Sequence, residues 1–198
     1  MTACSSCEGV SSERTLIVYC HPYQGSFCHA VLEALTSKLS AAGTPYDVID
    51  LHADEFDPTY STEELSLFSR GGTVDPLVER YQKMLKAAGR LVLIAPVWWN
   101  GLPAQLKGWF DKVMKPGFAY TQKDGWTGLL TNIQEETVYT TSGNNTEALE
   151  TQGGDAIRRA LIGGTFVQLG FGPARWVNFG GLDDATPEQL RAYLEQVA

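Results

Sequence analysis

The sequence predicts an α/β fold in which a parallel β-sheet is covered by helices on both faces. Continuous apolar runs such as "TLIVYC" and "RLVLIAP" are typical of strands that are buried on both faces. Amphipathic stretches separate these runs, so strands and helices alternate along the chain. No repeat or low-complexity linker divides the 198 residues, which are enough for one domain with a full core.

The individual elements follow from the periodicity of the apolar residues. In the first helix, for example, Phe27, Val31, Leu35 and Leu39 recur every four residues, and Gly43 ends the pattern. The expected strands cover residues 15–20, 46–51, 90–96, 136–143 and 174–181. The expected helices lie within residues 26–43, 61–72, 75–89, 102–114, 155–168 and 186–197.

Several of these helices begin with residue types that cap free backbone N–H groups. Pro76 and Pro187 follow at first-turn positions, where the missing N–H of proline costs no hydrogen bond. The predicted capping residues are Ser26, Ser61 or Thr62, Asp75 and Thr186.

Five parallel strands in one domain of this size fit a doubly wound, flavodoxin-like sheet with strand order 2-1-3-4-5. In such a sheet, ligands bind beyond the carboxyl ends of the strands, where the strand order reverses between strands 1 and 3. We therefore inspect the loops that follow strands 1, 3 and 4, and we name them loop A (residues 21–27), loop B (residues 96–103) and loop C (residues 140–145).

The composition argues against two classes of partner. The chain has 15 Lys and Arg residues against 23 Asp and Glu residues, a net charge of −8, and no basic cluster. Nucleic acid and anionic membrane surfaces are therefore not expected partners. No apolar stretch is long enough to span a bilayer, so an integral membrane segment is not expected either.

The N-terminal stretch "MTACSSCEGVSSER" lacks the basic and apolar regions of a secretory signal. We expect residues 1–13 to form a flexible tail, residues 14–198 to form a single domain, and the protein to be cytoplasmic. Cys4 and Cys7 form one CxxC pair without a second pair, and the 3 histidines are scattered. No metal site is therefore expected.

Loop A, "HPYQGSF", leads into the first helix, where Ser26 is the natural cap. The helix N-terminus presents free N–H groups and the positive end of the helix dipole, which favours a phosphate or pyrophosphate. The alternative is that His21 and Pro22 only end a strand. Neither a GxGxxG nor a Walker A motif is present, so a Rossmann or P-loop site is not predicted.

Loop B, "PVWWNGLP", places Trp98 and Trp99 between a proline and a glycine. Large aromatic side chains in a loop suit a planar ligand or a partner subunit. The alternative, that they belong to the core, is strong for one Trp and weaker for two in a row. Loop C, "TTSGNN", offers hydroxyls and N–H groups for the polar edge of a heterocycle, or it is an ordinary turn. Together the three loops fit a flavin nucleotide.

These loops carry a resemblance to a known family. The segments "HPYQGSF", "PVWWNGLPAQLKGWFDKV", "GFAYT" and "TTSG" resemble those of the flavodoxin-like NAD(P)H:quinone oxidoreductases, which include mammalian quinone reductases, modulator-of-drug-activity proteins and the ancillary quinone reductases of potassium efflux systems. The resemblance covers the chain from Thr15 to the C-terminus, and "GLPAQLKGWFDKV" is its most specific part.

The resemblance implies a bound flavin that takes a hydride from NAD(P)H and passes two electrons to a quinone or similar aromatic acceptor. Many members have Asn where this chain has Cys28, which leaves FAD and FMN open, with FAD the first choice. The implied cofactor-binding residues are His21, Ser26, Phe27 and Cys28 in loop A and the helix after it, Pro96, Val97, Trp98, Trp99 and Asn100 in loop B, and Thr140, Thr141, Ser142 and Gly143 in loop C.

Family members are homodimers with the flavin near the interface, which would bring the helix carrying Lys107, Trp109 and Phe110, and the "GFAYT" stretch, close to the partner. The mammalian members place a Tyr and a His in the segment that follows strand 4, and the corresponding "SGNNTEALETQGGD" of this chain contains neither. Electrostatic help for the reduced flavin would then come from backbone N–H groups near residues 142–144 or from elsewhere in the protein. No catalytic residue of the protein itself is expected, because the flavin carries the chemistry. The alternative is a non-enzymatic flavoprotein that transfers electrons or regulates a membrane transporter.

Overall fold

The computed structural model describes residues 13–197. Its main sheet has five parallel strands, and a two-stranded antiparallel hairpin lies apart from it. The strands are β1 (Thr15–Tyr19), β2 (Tyr46–Asp50), β3 (Arg90–Pro96), β4 (Tyr120–Thr121), β5 (Thr127–Gly128), β6 (Glu135–Thr141) and β7 (Ala174–Phe179). The main sheet has the order β2-β1-β3-β6-β7, so the predicted order of its five strands is confirmed.

Helices connect the strands of the main sheet. They are α1 (Phe27–Ala41), α2 (Thr62–Leu67), α3 (Pro76–Ala87), α4 (Ala104–Val113), α5 (Thr146–Thr151), α6 (Val167–Leu169) and α7 (Pro187–Glu195), and a π-helix (Ile157–Phe166) runs directly into α6. Among residues 13–197, no helix is long and apolar enough to cross a membrane.

The predicted caps are present at the helix starts. Ser26 accepts a hydrogen bond from the N–H of His29, and Asp75 accepts one from the N–H of Leu77. Ser61, rather than Thr62, caps α2. Reciprocal capping boxes, Ser61 with Glu64 and Thr186 with Gln189, satisfy two backbone N–H groups each at the starts of α2 and α7.

The sheet separates two apolar cores because successive strand residues point to opposite faces. Leu16, Val18 and Leu93 belong to the core on the side of α3 and α4. Ile17 and Ile94 belong to the core on the side of α1 and α7. The predicted helix cover on both faces of the sheet is therefore observed.

Three features differ from the sequence expectation. The short helix α5 was not predicted, because its six residues are too few to show a helical period. The hairpin of β4 and β5 was not predicted, since strands of two residues have no periodicity to recognise. The helix predicted at residues 155–168 has π-helical geometry over most of its length. Gly163 and Gly164 weaken the ordinary helix there, and the hydroxyl of Thr165 donates to the carbonyl of Ala160, five residues back.

The predicted tail and the Cys4–Cys7 pair lie almost wholly outside the described residues, and the division into tail and single domain stays a prediction. Within residues 13–197, no group of three or more His, Cys, Asp or Glu side chains is arranged to hold a metal ion.

Candidate functional site

Loops A, B and C lie at the same edge of the sheet, beyond the ends of β1, β3 and β6. The N–H of Val97 donates to the carbonyl of Thr141 at 2.8 Å, which joins loop B to loop C. The Cys28 Sγ lies 3.1 Å from the Thr141 Oγ1, and the rings of His21 and Trp98 have centroids 6.2 Å apart. The parallel sheet therefore brings the three predicted loops together.

Loop A ends in a helix start with free donors. α1 has 15 residues, and the N–H groups of Phe27 and Cys28 donate to no acceptor within the described residues. The Cys28 side chain is buried, so Cys28 can offer a ligand only its backbone. The ring of Phe27 packs edge-on against Phe179. The helix N-terminus remains suited to an anion.

Tyr19, which the sequence analysis did not single out, lies beneath this helix start. Its side chain is 2% exposed, and its hydroxyl makes no hydrogen bond of normal geometry within residues 13–197. Burial raises the pKa of Tyr19, and the nearby Ser26 hydroxyl acts in the opposite direction. A buried O–H group without an acceptor is costly, so it fits a ligand that brings a charged oxygen to loop A. The only sequence signal was a hydroxyl-bearing residue inside an apolar strand.

His21 is held in one orientation within loop A. Its Nδ1 accepts a hydrogen bond from the N–H of Tyr23 at 3.1 Å, so neutral His21 carries its proton on Nε2. Burial lowers the pKa of His21, which favours this neutral form.

Loop B forms a tight turn that exposes both tryptophans. Trp98 and Gly101 exchange two backbone hydrogen bonds of 3.0 Å each. Trp99 and Asn100 have φ values of +49° and +62°, as in a type I′ turn. The side chain of Trp98 is 47% exposed and that of Trp99 is 100% exposed. Trp99 therefore does not belong to the core of this chain.

Loop C divides between core and surface. Thr140 and Thr141 are buried, and the Thr140 hydroxyl is bonded to Trp176 and Asn178. Neither of these threonines lines the cavity of about 570 Å³ between loops B and C. The residues that line it are Val97, Trp99, Asn100, Ser142, Gly143, Asn144, Leu149, Asp183 and Asp184.

Loop C also presents free backbone donors. The N–H groups of Gly143, Asn144 and Asn145 make no hydrogen bond within residues 13–197, and all three residues are exposed. The Asp183 carboxylate lies beside them, 2.3 Å from the position that a Cβ on Gly143 would take. The sequence analysis missed Asp183 because only the fold brings it to loop C.

A second cavity of about 300 Å³ lies between α4 and the π-helix and is mostly apolar. The rings of Tyr120 and Trp126 stack at its edge with centroids 4.3 Å apart. Phe110 and Lys107 line this cavity, whereas Trp109 is fully buried in the core. Trp126 had no signal in the sequence, because its role depends on the hairpin.

Residues 13–198 match the family model whose members have a flavodoxin-like fold. The chain belongs to this family. It is 30% identical over 186 residues to an uncharacterized NAD(P)H oxidoreductase of Haemophilus influenzae, covering 92% of this chain and 91% of that protein. It is 35% identical over 124 residues to NAD(P)H dehydrogenase [quinone] 1 of Rattus norvegicus, covering 54% of this chain and 45% of the rat protein.

Among solved structures, the NAD(P)H:quinone oxidoreductase from Methanothermobacter marburgensis is similar over nearly the whole chain. Its TM-score is 0.82 at 30% identity, with 94% of each chain covered. The resemblance to flavodoxin-like NAD(P)H:quinone oxidoreductases that the sequence motifs indicated is therefore confirmed.

Proposed function

We propose that this family member is a flavin-dependent enzyme that oxidises NAD(P)H and reduces a quinone or similar aromatic acceptor. One arrangement carries the proposal: free N–H donors at the start of α1 and in loop C lie on either side of the exposed Trp98–Trp99 turn. An anionic group, an aromatic plane and a polar ring edge would each find a matching surface. The three relatives named above support the same activity.

The residues of the chain bind and orient the cofactor. A bound flavin accepts a hydride from NAD(P)H and passes two electrons to the acceptor. We assign the phosphate end to Ser26, His21, the N–H groups of Phe27 and Cys28, and the Tyr19 hydroxyl. Pro96, Val97, Trp98, Trp99 and Asn100 would flank the ring system, Gly143 would meet its polar edge through its backbone N–H, and Ser142 would support loop C through its bond to the Asn144 carbonyl. Thr140 and Thr141 would support loop C from below without touching the flavin through their side chains, because those side chains are buried.

Three further features belong to the same proposal. The flavin is FAD or FMN, and NAD(P)H is the co-substrate. The protein is cytoplasmic. It forms a homodimer, which the exposed Trp99 and the apolar cavity beside Tyr120 and Trp126 support, since both surfaces would gain from being covered.

The rival hypothesis, a flavoprotein that only transfers electrons or regulates a transporter, is less well supported, since the relatives that match most of the chain are named as oxidoreductases. Steady-state oxidation of NADH and NADPH by the purified protein with a quinone separates the two. Multiple turnovers without any other protein would support the enzyme. A flavin-loaded protein that turns over only with a protein partner would favour the rival.

A further inference from the structure

A chain of hydrogen bonds beneath loop C fixes the orientation of Asn178. The Trp176 Nε1 donates to the Thr140 Oγ1 at 2.8 Å, and that hydroxyl donates to the Asn178 Oδ1 at 2.7 Å. An indole N–H can only donate, so the Thr140 hydroxyl keeps its own proton for Asn178. The amide of Asn178 must therefore turn its oxygen toward Thr140 and its NH₂ group toward loop C.

The NH₂ group of Asn178 reaches two hydroxyls. It donates to the Ser142 Oγ at 3.0 Å and to the Thr146 Oγ1 at 3.1 Å. The single proton of the Ser142 hydroxyl goes to the carbonyl of Asn144 at 2.7 Å, because the other acceptor in reach, the Asn178 Oδ1, is farther away at 3.3 Å and already accepts from Thr140. Every side-chain donor from Trp176 to Ser142 therefore has an acceptor, and the chain ends on the backbone of loop C.

This anchoring sets the direction of the free N–H groups. The carbonyl of Asn144 also accepts from the N–H of Gly181 at 3.1 Å, and the carbonyl of Ser142 accepts from the N–H of Leu182 at 3.1 Å. In a trans peptide, the N–H points opposite to the C=O. Holding these two carbonyls inward therefore turns the N–H groups of Gly143 and Asn145 outward.

We propose that Asn178 is a positioning residue that holds the N–H groups of Gly143 and Asn145 toward the polar edge of the bound flavin. The inference rests on the proposed flavin binding. Two-electron reduction adds negative charge at that edge, and donors held in place beforehand stabilise such charge. Loop C contains neither a Tyr nor a His that would do so. The negative charge of the Asp183 carboxylate, which lies beside Gly143, disfavours the reduced flavin. None of the variants below changes Asp183.

The test compares Asn178→Ala with Thr146→Ala, which removes the other partner of the Asn178 NH₂ group and leaves the path to Ser142 intact. We expect Asn178→Ala to lower the preference of the site for reduced over oxidised flavin about tenfold, which lowers the two-electron midpoint potential by about 30 mV. The affinity for oxidised flavin should change less than about threefold. Thr146→Ala should keep the wild-type potential.

Ser142→Ala cuts the next link of the chain and should reproduce the shift in potential even if Asn178→Ala does not fold. In the flavin-free protein, the backbone N–H resonances of Gly143 and Asn145 should broaden in Asn178→Ala and stay sharp in Thr146→Ala. A wild-type potential in both Asn178→Ala and Ser142→Ala, or an equal loss of affinity for both oxidation states, would overturn the inference. A wild-type protein that binds no flavin would instead overturn the proposed function. The flavin-binding assay on the wild-type protein alone separates this outcome from a failure of the inference.

Discussion

Trp99 has a backbone conformation that its side chain does not favour. Its φ of +49° is in the left-handed region, where a bulky residue is strained by about 1–3 kcal/mol. Its side chain is 100% exposed, so no contact within the described chain offsets that strain. A ring held out of the core in this way is explained by something that binds it, which we infer to be the flavin.

We predict that Trp99→Ala weakens flavin affinity by about 2- to 10-fold, the range expected for losing one aromatic stacking contact. The free energy of unfolding of the flavin-free protein should not fall, because the side chain is exposed. Titration of the stripped protein with FMN and FAD measures the affinity, and Val74→Ala, at an exposed apolar position just before α3 that lines neither cavity, serves as the control. Unchanged flavin absorbance at about 450 nm in purified Trp99→Ala would contradict the placement of the flavin ring against Trp99.

Tyr19 leads to a second prediction at this scale, because its hydroxyl is buried and makes no hydrogen bond to the part of the chain that the structure describes. Tyr19→Phe should leave the flavin-free protein as stable as the wild type or more stable, since an unsatisfied polar group is removed. Affinity for FMN should fall about tenfold, the effect of losing one hydrogen bond to a charged oxygen.

The matched ligand for Tyr19→Phe is riboflavin, which lacks the phosphate and should bind both proteins equally. Tyr23→Phe, at an exposed position in loop A, is the matched variant. An equal drop in riboflavin and FMN affinity would mean that Tyr19 acts on the shape of the site and not on the phosphate.

At the scale of elements, a buried lysine ties α4 to α2 and α3. The Lys112 Nζ lies 2.9 Å from a Glu64 carboxylate oxygen and 3.1 Å from one of Asp75, and it donates to the carbonyl of Asp57 at 2.9 Å. Burial lowers the pKa of Lys112, but these partners raise it by more. Burial likewise raises the pKa of Glu64, and its bonds to Lys112 and Ser61 lower it below its usual value. Both pKa shifts favour the charged forms, protonated Lys112 and deprotonated Glu64, in the folded protein.

Lys112→Met should reduce the free energy of unfolding by about 3–5 kcal/mol, because it leaves buried carboxylates without their cation. The control is Lys107→Met, which breaks an exposed pair with Asp111 on the same helix and should cost less than about 1 kcal/mol. Urea denaturation of both variants checks the difference. Equal and small effects would show that the buried cluster does not anchor α4.

At the scale of the whole molecule, the order of the strands in the sheet could be predicted from the sequence, because buried strands are continuous apolar runs. The helix starts could be predicted as well, because capping residues act within a few positions of the chain. The position of the site was also predictable from the sequence, because the carboxyl ends of parallel strands lie at the same edge of the sheet. The roles of Thr140 and Asp183 did not follow, because strand register and contacts distant in sequence decide them. Sequence could not show the turn that exposes Trp99 either, since its φ is set by the fold of loop B.

The proposed homodimer gives a prediction at the same scale. Analytical ultracentrifugation should show a dimer, and Ala160→Arg should shift it to a monomer by placing a charge at the rim of the apolar cavity beside α4. Gln152→Arg, an exposed position outside that cavity, should remain dimeric. A dimer that tolerates Ala160→Arg would place the interface elsewhere, and a wild-type monomer would contradict the homodimer itself.

The central claim is that loops A, B and C hold a flavin that NAD(P)H reduces. The most direct measurement is the absorbance spectrum of the purified protein, followed by mass identification of the released cofactor and by addition of NADPH or NADH without oxygen. We predict a bound FAD or FMN whose absorbance at about 450 nm disappears when NADPH or NADH is added and returns when menadione is added. A colourless protein that binds neither flavin when both are supplied would contradict the account.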